Sequence, residues 1–225
     1  MKIGMVILLL SHLANSLKEI QARNEIQHSP VPYQSFAVSG ELPAGYLEKQ
    51  LFDLTTIELL NAARSLRSGR DLSGNDLHGT PHLFLGSTVN PGSSDLAREV
   101  ENSRRKIDAG SQFFQSQAIY DIGLLARFLD AAKLGSVALL AGVIPLKSAN
   151  MAAWLNANVP GIRVAAAILE ELERAGPEGE AAKGVEIAAR TIRQLRNICN
   201  GVHVMAIGWE DRIPEILGAA GVSAH

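Results

Sequence analysis

Apolar runs of strand length alternate with helix-length segments along this chain, and that alternation limits its fold more than any other feature. MVILLL (5–10) precedes the amphipathic stretch NSLKEIQARNEIQ, and YQSFAVSG (33–40) precedes a Gly/Pro-containing loop and DLTTIELLNAARSL. HLFLGSTV leads into SSDLAREVENSRRKIDAG, and QFFQSQ leads into DIGLLARFLDAAKLG. VALLAGVIP leads into SANMAAWLNANV and a long Ala/Leu/Ile-rich helical stretch to about residue 199; GVHVMAIG leads into DRIPEILGAAG. Short continuous apolar runs fit strands buried on both faces, and strict strand–helix alternation means parallel strands joined by right-handed crossovers. The expected class is therefore α/β, with about six βα units.

Local signals refine the elements. Asp53 is the expected N-cap of the helix after the second strand. Leu96, Val100, Ser103 and Ile107 fall on one helical face, and Gly110 sits where a C-cap glycine belongs. Residues 68–80 (SGRDLSGNDLHGT) and 174–184 (RAGPEGEAAKG) read as polar connectors. No linker is long enough to split the chain, so residues 1–225 are expected to form one domain. No GxGxxG or phosphate-cradling glycine loop follows a strand, whereas polar or special residues recur at strand C-termini: Glu41, Asn90, Gln117, and Gly208 with Trp209. That distribution favours a TIM-type (β/α)8 barrel over a doubly wound sheet.

Composition removes several function classes. A hydrophobic fraction of 47% in 225 residues suffices for a sizeable core, and a formal charge of -2 gives no reason to expect nucleic acid or an anionic membrane. The single cysteine, Cys199, excludes an intramolecular disulfide and suits a reducing cytoplasm, the expected location. Six histidines include no HExxH or paired spacing, so no dedicated metal site is expected. The opening MKIGMVILLLSHLANS has a faint signal-peptide outline, but its apolar run is too short to span a bilayer and is read as a buried strand.

The stretch RRKIDAGSQFFQSQAIYD (104–121) poses the chemical question, because Gln115 and Gln117 lie on a strand expected to be buried. A buried amide is costly unless its donor and acceptor find partners, so one of the two is a candidate ligand contact. On the preceding helix, Glu99, Asn102 and Lys106 share one edge, with Arg105 beside them. From spacing alone this edge reads as a solvated basic face rather than a ligand site, by about two to one.

RRKIDAG-x-x-F-x-x-x-Q followed by an aromatic and Asp121 resembles the methylenetetrahydrofolate reductase family, FAD-dependent TIM barrels of one-carbon metabolism. SFAVSGELPAG, LFDLTTIELL, FLGSTVNP, AGVIPLKSANMAAWL and GVHVMAIGWE resemble family blocks in the same order, covering residues 34 to 220. The resemblance implies FAD held through residues matching Asn102, Arg105 and Lys106, with Glu99 one turn earlier; a guanidinium, an ammonium and an amide suit a pyrophosphate and ribose. It places His12, Gly40, Glu41 and Asn90 on the cofactor side as well. Gln117 matches a glutamine that hydrogen-bonds the folate pterin, leaving Gln115 as the amide satisfied in the core. Glu41 stands for an aspartate near both flavin and folate.

Departures accompany the match. Met1 falls just before the third strand of the family pattern, so the first two βα units, and the glutamate that serves there as the acid, have no counterpart in these residues; no catalytic residue is assigned. The barrel is accordingly expected to be incomplete within this chain. MAIGWE replaces a family Tyr-x-Leu-Asn-Arg run, Met151 stands at a glutamine position, and Gly86 stands where a flavin-contacting tyrosine is common. The resemblance implies FAD-dependent reduction of 5,10-methylenetetrahydrofolate to 5-methyltetrahydrofolate, with NAD(P)H or an electron-donor protein reloading the flavin. The alternative is a non-catalytic flavin- or folate-binding relative, or a subunit completed by a partner chain; the expected assembly is a homo-oligomer or a complex with a partner subunit.

Overall fold

The computed structural model describes the strand Tyr33–Ala37 and residues 54–222. The expected MVILLL strand, the helix after it, and His12, Gly40 and Glu41 lie outside the described residues. The elements run β1 (Tyr33–Ala37), α1 (Thr56–Arg67), β2 (Leu83–Val89), α2 (Leu96–Asp108), β3 (Phe113–Ala118), α3 (Ile122–Ala132) and β4 (Ala138–Val143). They continue with α4 (Ala149–Asn158), α5 (Ala166–Leu195), β5 (Gly201–Val204), a 3-10 turn (Glu210–Arg212) and α6 (Ile213–Ala219). The alternation legible in the sequence is thus present from β1 onward.

The chain folds as two compact units, whose described parts are residues 33–37, 54–88 and 102–114 in one and 89–101 and 115–222 in the other. In the first, β1 pairs with β2 in parallel, from Tyr33↔Leu83 to Ala37↔Ser87. The N–H of Gln112, just before β3, donates to the Leu85 carbonyl at 2.7 Å. In the second, the N–H of Ile119, just after β3, donates to the Gly142 carbonyl of β4 at 2.9 Å. There β4 pairs with β5 in parallel, from Leu140↔Gly201 to Val143↔Val204. The strand order is β1-β2-β3-β4-β5.

Each unit has its own apolar core. Leu60, Ala63 and Leu66 of α1 pack with Leu83 and Leu85 of β2 and with Ala109. In the other unit Ile144 and Leu146, Ala152 and Leu155 of α4, and Ile168, Leu172 and Ile187 of α5 form one cluster. Burying such side chains is worth roughly 1.5–3 kcal/mol each, which fixes the helices against the strands they follow.

Three local features differ from the sequence expectations. The first described helix is capped by Thr55 rather than Asp53: the Glu58 N–H donates to Thr55 Oγ1 and the Thr55 N–H donates back to the Glu58 carboxylate at 2.7 Å. This reciprocal box satisfies two N-terminal N–H groups, which a cap two residues earlier could not do. Residues 174–184 are helical rather than a connector; α5 breaks only at Gly176 (φ 65°, ψ 171°), and Pro177 restarts it. Proline suits a first helical turn because the N–H it lacks is unused there. The last helix is preceded by the 3-10 turn Glu210–Arg212.

Candidate functional site

The basic edge predicted from RRKIDAG lies on α2. Asp95 starts the helix, its carboxylate accepting the Arg98 N–H at 3.0 Å. The end is a Schellman turn: the Gly110 N–H donates to the Ile107 carbonyl and the Ser111 N–H to the Lys106 carbonyl, each at 2.9 Å, with Gly110 at φ 114°. The Arg64 guanidinium adds a cation to that end, donating to the Asp108 carbonyl at 2.8 Å. Val100 and Ser103 are buried, and Leu96 and Ile107 half-buried, so the predicted stripe faces inward.

Along the edge of α2, Glu99, Asn102 and Lys106 are half-buried and Arg105 is exposed. The Glu99 carboxylate accepts the Asn90 N–H at 2.8 Å, and so holds the loop that follows β2. Lys106 Nζ donates to the Thr88 carbonyl near the end of β2 at 2.7 Å. That bond orients the ammonium beside the loop that follows β2. The Asn90 side chain serves its own loop: Oδ1 accepts the Gly92 N–H at 3.1 Å, and Nδ2 lies 2.0 Å from where a Cβ on residue 161 would be.

A second group of residues, of which the sequence singled out Gln115 and Gln117, gathers at the ends of β3, β4 and β5. Gln115 is 3% exposed, and among the described residues no buried side-chain nitrogen or oxygen lacks a hydrogen-bond partner. Gln117 is half-buried, and its Oε1 accepts the Ala118 N–H at 3.1 Å. Ser116 Oγ accepts the Gly142 N–H at 2.9 Å and donates to the Gln117 carbonyl at 2.8 Å. Tyr120 Oη donates to the Ile144 carbonyl at 2.7 Å, and burial pushes its phenol well above its usual range.

His203 faces this strand end across β4, its Nε2 lying 2.9 Å from the Ser116 carbonyl oxygen. Burial holds the imidazole below its ordinary 6.5, against the smaller opposing effect of that hydrogen bond. The neutral ring therefore donates through Nε2–H. A lone histidine between two valines in GVHVM was the available signal, and by itself it does not separate a core histidine from a site residue.

The loops beyond β4 and β5 complete this end of the second unit. Ile207, a β-branched and exposed residue, has φ 48°, and Gly208 follows at φ 76°. A β-branched side chain is strained there, and such strain concentrates at ligand-binding segments. Lys147 Nζ is 3.2 Å from where a Cβ on residue 208 would sit. Met151, expected to replace a ligand-contacting glutamine, is half-buried at the start of α4, its N–H donating to the Ser148 cap at 3.1 Å. Among the described residues no three His, Cys, Asp or Glu side chains could hold a metal ion, and no helix is long and apolar enough to cross a membrane.

The comparisons with known proteins bear on this arrangement. No curated protein matches the chain. Among solved structures, an uncharacterized protein from Clostridium thermocellum that binds two copies of 5-methyl-5,6,7,8-tetrahydrofolic acid is 19% identical, with a TM-score of 0.48. That alignment covers 62% of this chain and 53% of the other, so this chain spans about half the length of that protein. The sequence profile of the methylenetetrahydrofolate reductase family matches residues 38–221, which include α2, Gln117 and the ends of β4 and β5. The chain belongs to the methylenetetrahydrofolate reductase family.

Proposed function

We propose that this protein is a flavin-dependent reductase that converts 5,10-methylenetetrahydrofolate to 5-methyltetrahydrofolate on a TIM-type barrel. The observation that carries the reading is the family match over α2 and β3, the elements with the residue types that a dinucleotide and a pterin require. Strand–helix alternation with parallel pairing inside each unit agrees with that architecture.

The α2 edge fits FAD chemically. Arg105 is an exposed guanidinium, Lys106 places its ammonium beside the end of β2, and Asn102 supplies an amide on the same edge. Together they would hold pyrophosphate and ribose oxygens through charge-assisted hydrogen bonds. Glu99 and Asn90 support that edge by fixing the loop after β2. Bound FAD would supply the two-electron chemistry. Gln117 would bind the other ligand: with one Oε1 contact given to the Ala118 N–H, its amide NH2 and remaining lone pair complement the donor–acceptor edge of a pterin. The reduced pyridine nucleotide or donor protein belongs to the same proposal, as do His12, Gly40 and Glu41 on the cofactor side, Glu41 also toward folate, and a cytoplasmic location.

Two measurements test it. FAD binding followed by absorbance should be saturable, and Arg105→Ala with Lys106→Ala should weaken it. Mixing the reduced holoprotein with methylenetetrahydrofolate in a stopped-flow instrument should then restore oxidised-flavin absorbance. Binding without reoxidation would favour the non-catalytic relative, and rescue by a second protein would indicate a site completed by a partner subunit. No FAD binding to the folded chain would refute the proposal.

A further inference from the structure

We propose that His203 is a positioning residue: by holding the Ser116 carbonyl it sets the peptide plane leading into Gln117, and so aims the Gln117 amide at a folate-type ring. The inference rests on the proposed role of Gln117 and goes beyond it, since His203 touches neither ligand in that reading.

The end of β3 is not an ordinary ladder. The Gly142 N–H donates to a side chain of the neighbouring strand, Ser116 Oγ, at 2.9 Å. Ser116 Oγ passes its own proton to the Gln117 carbonyl at 2.8 Å. The Ser116 carbonyl meets His203 Nε2 at 2.9 Å. A buried carbonyl without a donor is costly, and the imidazole satisfies this one.

Residue 142 makes the arrangement possible. His203 on β5 is paired in register with Gly142 on β4, so its path to β3 crosses residue 142. A Cβ there would stand 2.5 Å from the Ser116 oxygen and 3.0 Å from Gln117 backbone atoms. Only glycine leaves that space open.

The consequence reaches Gln117 through covalent geometry. The Ser116 carbonyl and the Gln117 N–H belong to one planar peptide unit, so anchoring the oxygen fixes the plane from which the Gln117 side chain departs. The Ala118 N–H then fixes the Gln117 carboxamide at 3.1 Å. The Ser116 carbonyl can only accept, so the Nε2 nitrogen that faces it carries the proton.

Two variants of the full chain test the proposal. His203→Leu keeps bulk and removes the donor, whereas His203→Gln carries an amide nitrogen about as far from the backbone as Nε2. NMR of the Gly142 and Ala118 amides reports the two hydrogen bonds to Ser116 Oγ and Gln117 Oε1. Titration with 5-methyltetrahydrofolate reports the consequence. His203→Leu should move both amide signals and weaken binding roughly tenfold, the scale of one misaligned buried hydrogen bond. His203→Gln should restore both, and in a Gln117→Leu background His203→Leu should cause no further loss. Unmoved amide signals, or an equal loss without Gln117, would overturn the proposal. If wild type binds no tetrahydrofolate, the functional reading fails, while the amide signals still decide whether His203 sets the peptide. Should His203→Leu not fold, long-range nitrogen–proton spectra of wild type decide: a proton on Nε2 agrees, and one on Nδ1 overturns it.

Discussion

Replacing Gly184 with alanine tests how α5 docks on the chain that leaves β4. In an exposed helix interior, glycine to alanine gains about 0.5–1 kcal/mol, because alanine loses less backbone freedom on folding. Gly184 is buried, and a Cβ added there would lie 1.9 Å from the Leu146 carbonyl oxygen, 3.0 Å from the Leu146 carbonyl carbon and 3.3 Å from the Trp209 ring. The obstruction is backbone, which cannot rotate away as a flexible side chain can. Relief to ordinary contact needs roughly 1 Å or more of separation between α5 and the Leu146 segment, which would loosen the cluster around Leu146, Leu172 and Ile187. Overpacking of this kind costs about 1–3 kcal/mol or more, so the propensity gain is outweighed and the net change is destabilising by about 1–3 kcal/mol. Gly218 in α6 is the internal control, since nothing lies within 4 Å of its added Cβ and it is exposed; Gly218→Ala should stabilise by about 0.5 kcal/mol. Urea unfolding of the three proteins, compared by midpoint at unchanged slope, measures both signs. A Gly184→Ala protein as stable as wild type would refute the close docking of α5 on Leu146.

Other perturbations follow from single contacts. Thr55→Ala removes the hydroxyl that accepts the Glu58 N–H and should lower stability by about 1 kcal/mol, read from the same urea midpoints. Gln117→Leu should leave FAD affinity nearly unchanged while weakening tetrahydrofolate binding by roughly 1–3 kcal/mol in calorimetry; equal folate affinity would assign Gln117 to the core. His203 has a folded-state pKa below 6.5 because burial disfavours its charge, so the unfolded chain takes up the proton first. Its contribution to stability is level above about pH 6.5 and falls as pH drops below that value, and His203→Gln should remove this part of the slope.

Much of the fold was legible because each signal was local. The apolar runs, the stripe on α2 and the glycine after it depend on residues a turn or a strand apart, and from β1 onward all three stand where the pattern put them. The errors came where two local signals competed. Asp53 and Thr55 are both good caps, but only Thr55 has Glu58 three residues ahead to return the hydrogen bond. RAGPEGEAAKG looked like a connector from its glycines and proline, yet only Gly176 leaves helical geometry, and Val185, Ile187 and Ala188 just beyond are buried firmly enough to hold the rest. On the site side, the α2 edge was proposed from the resemblance, since its spacing alone favoured a solvated face. The contact of His203 with Ser116 was not, because it joins residues 87 positions apart and depends on the missing side chain of a third strand. Asn90 illustrates the reverse: read as a ligand contact, it spends its side-chain oxygen on the loop that carries it.

Phe113 and Gly86 leave a constraint on how this sequence can have diverged. The Phe113 ring stacks on Phe84 with centroids 5.3 Å apart and lies over residue 86, where a Cβ would be 2.2 Å from its Cζ. A tyrosine at 86, the residue that the family resemblance implies for that position, and a phenylalanine at 113 therefore exclude each other in this packing. A side chain at 86 thus has room only once the ring at 113 is gone. Grafting that tyrosine here should fail alone and succeed only with a small residue at 113, and the two sites should covary when related sequences are aligned.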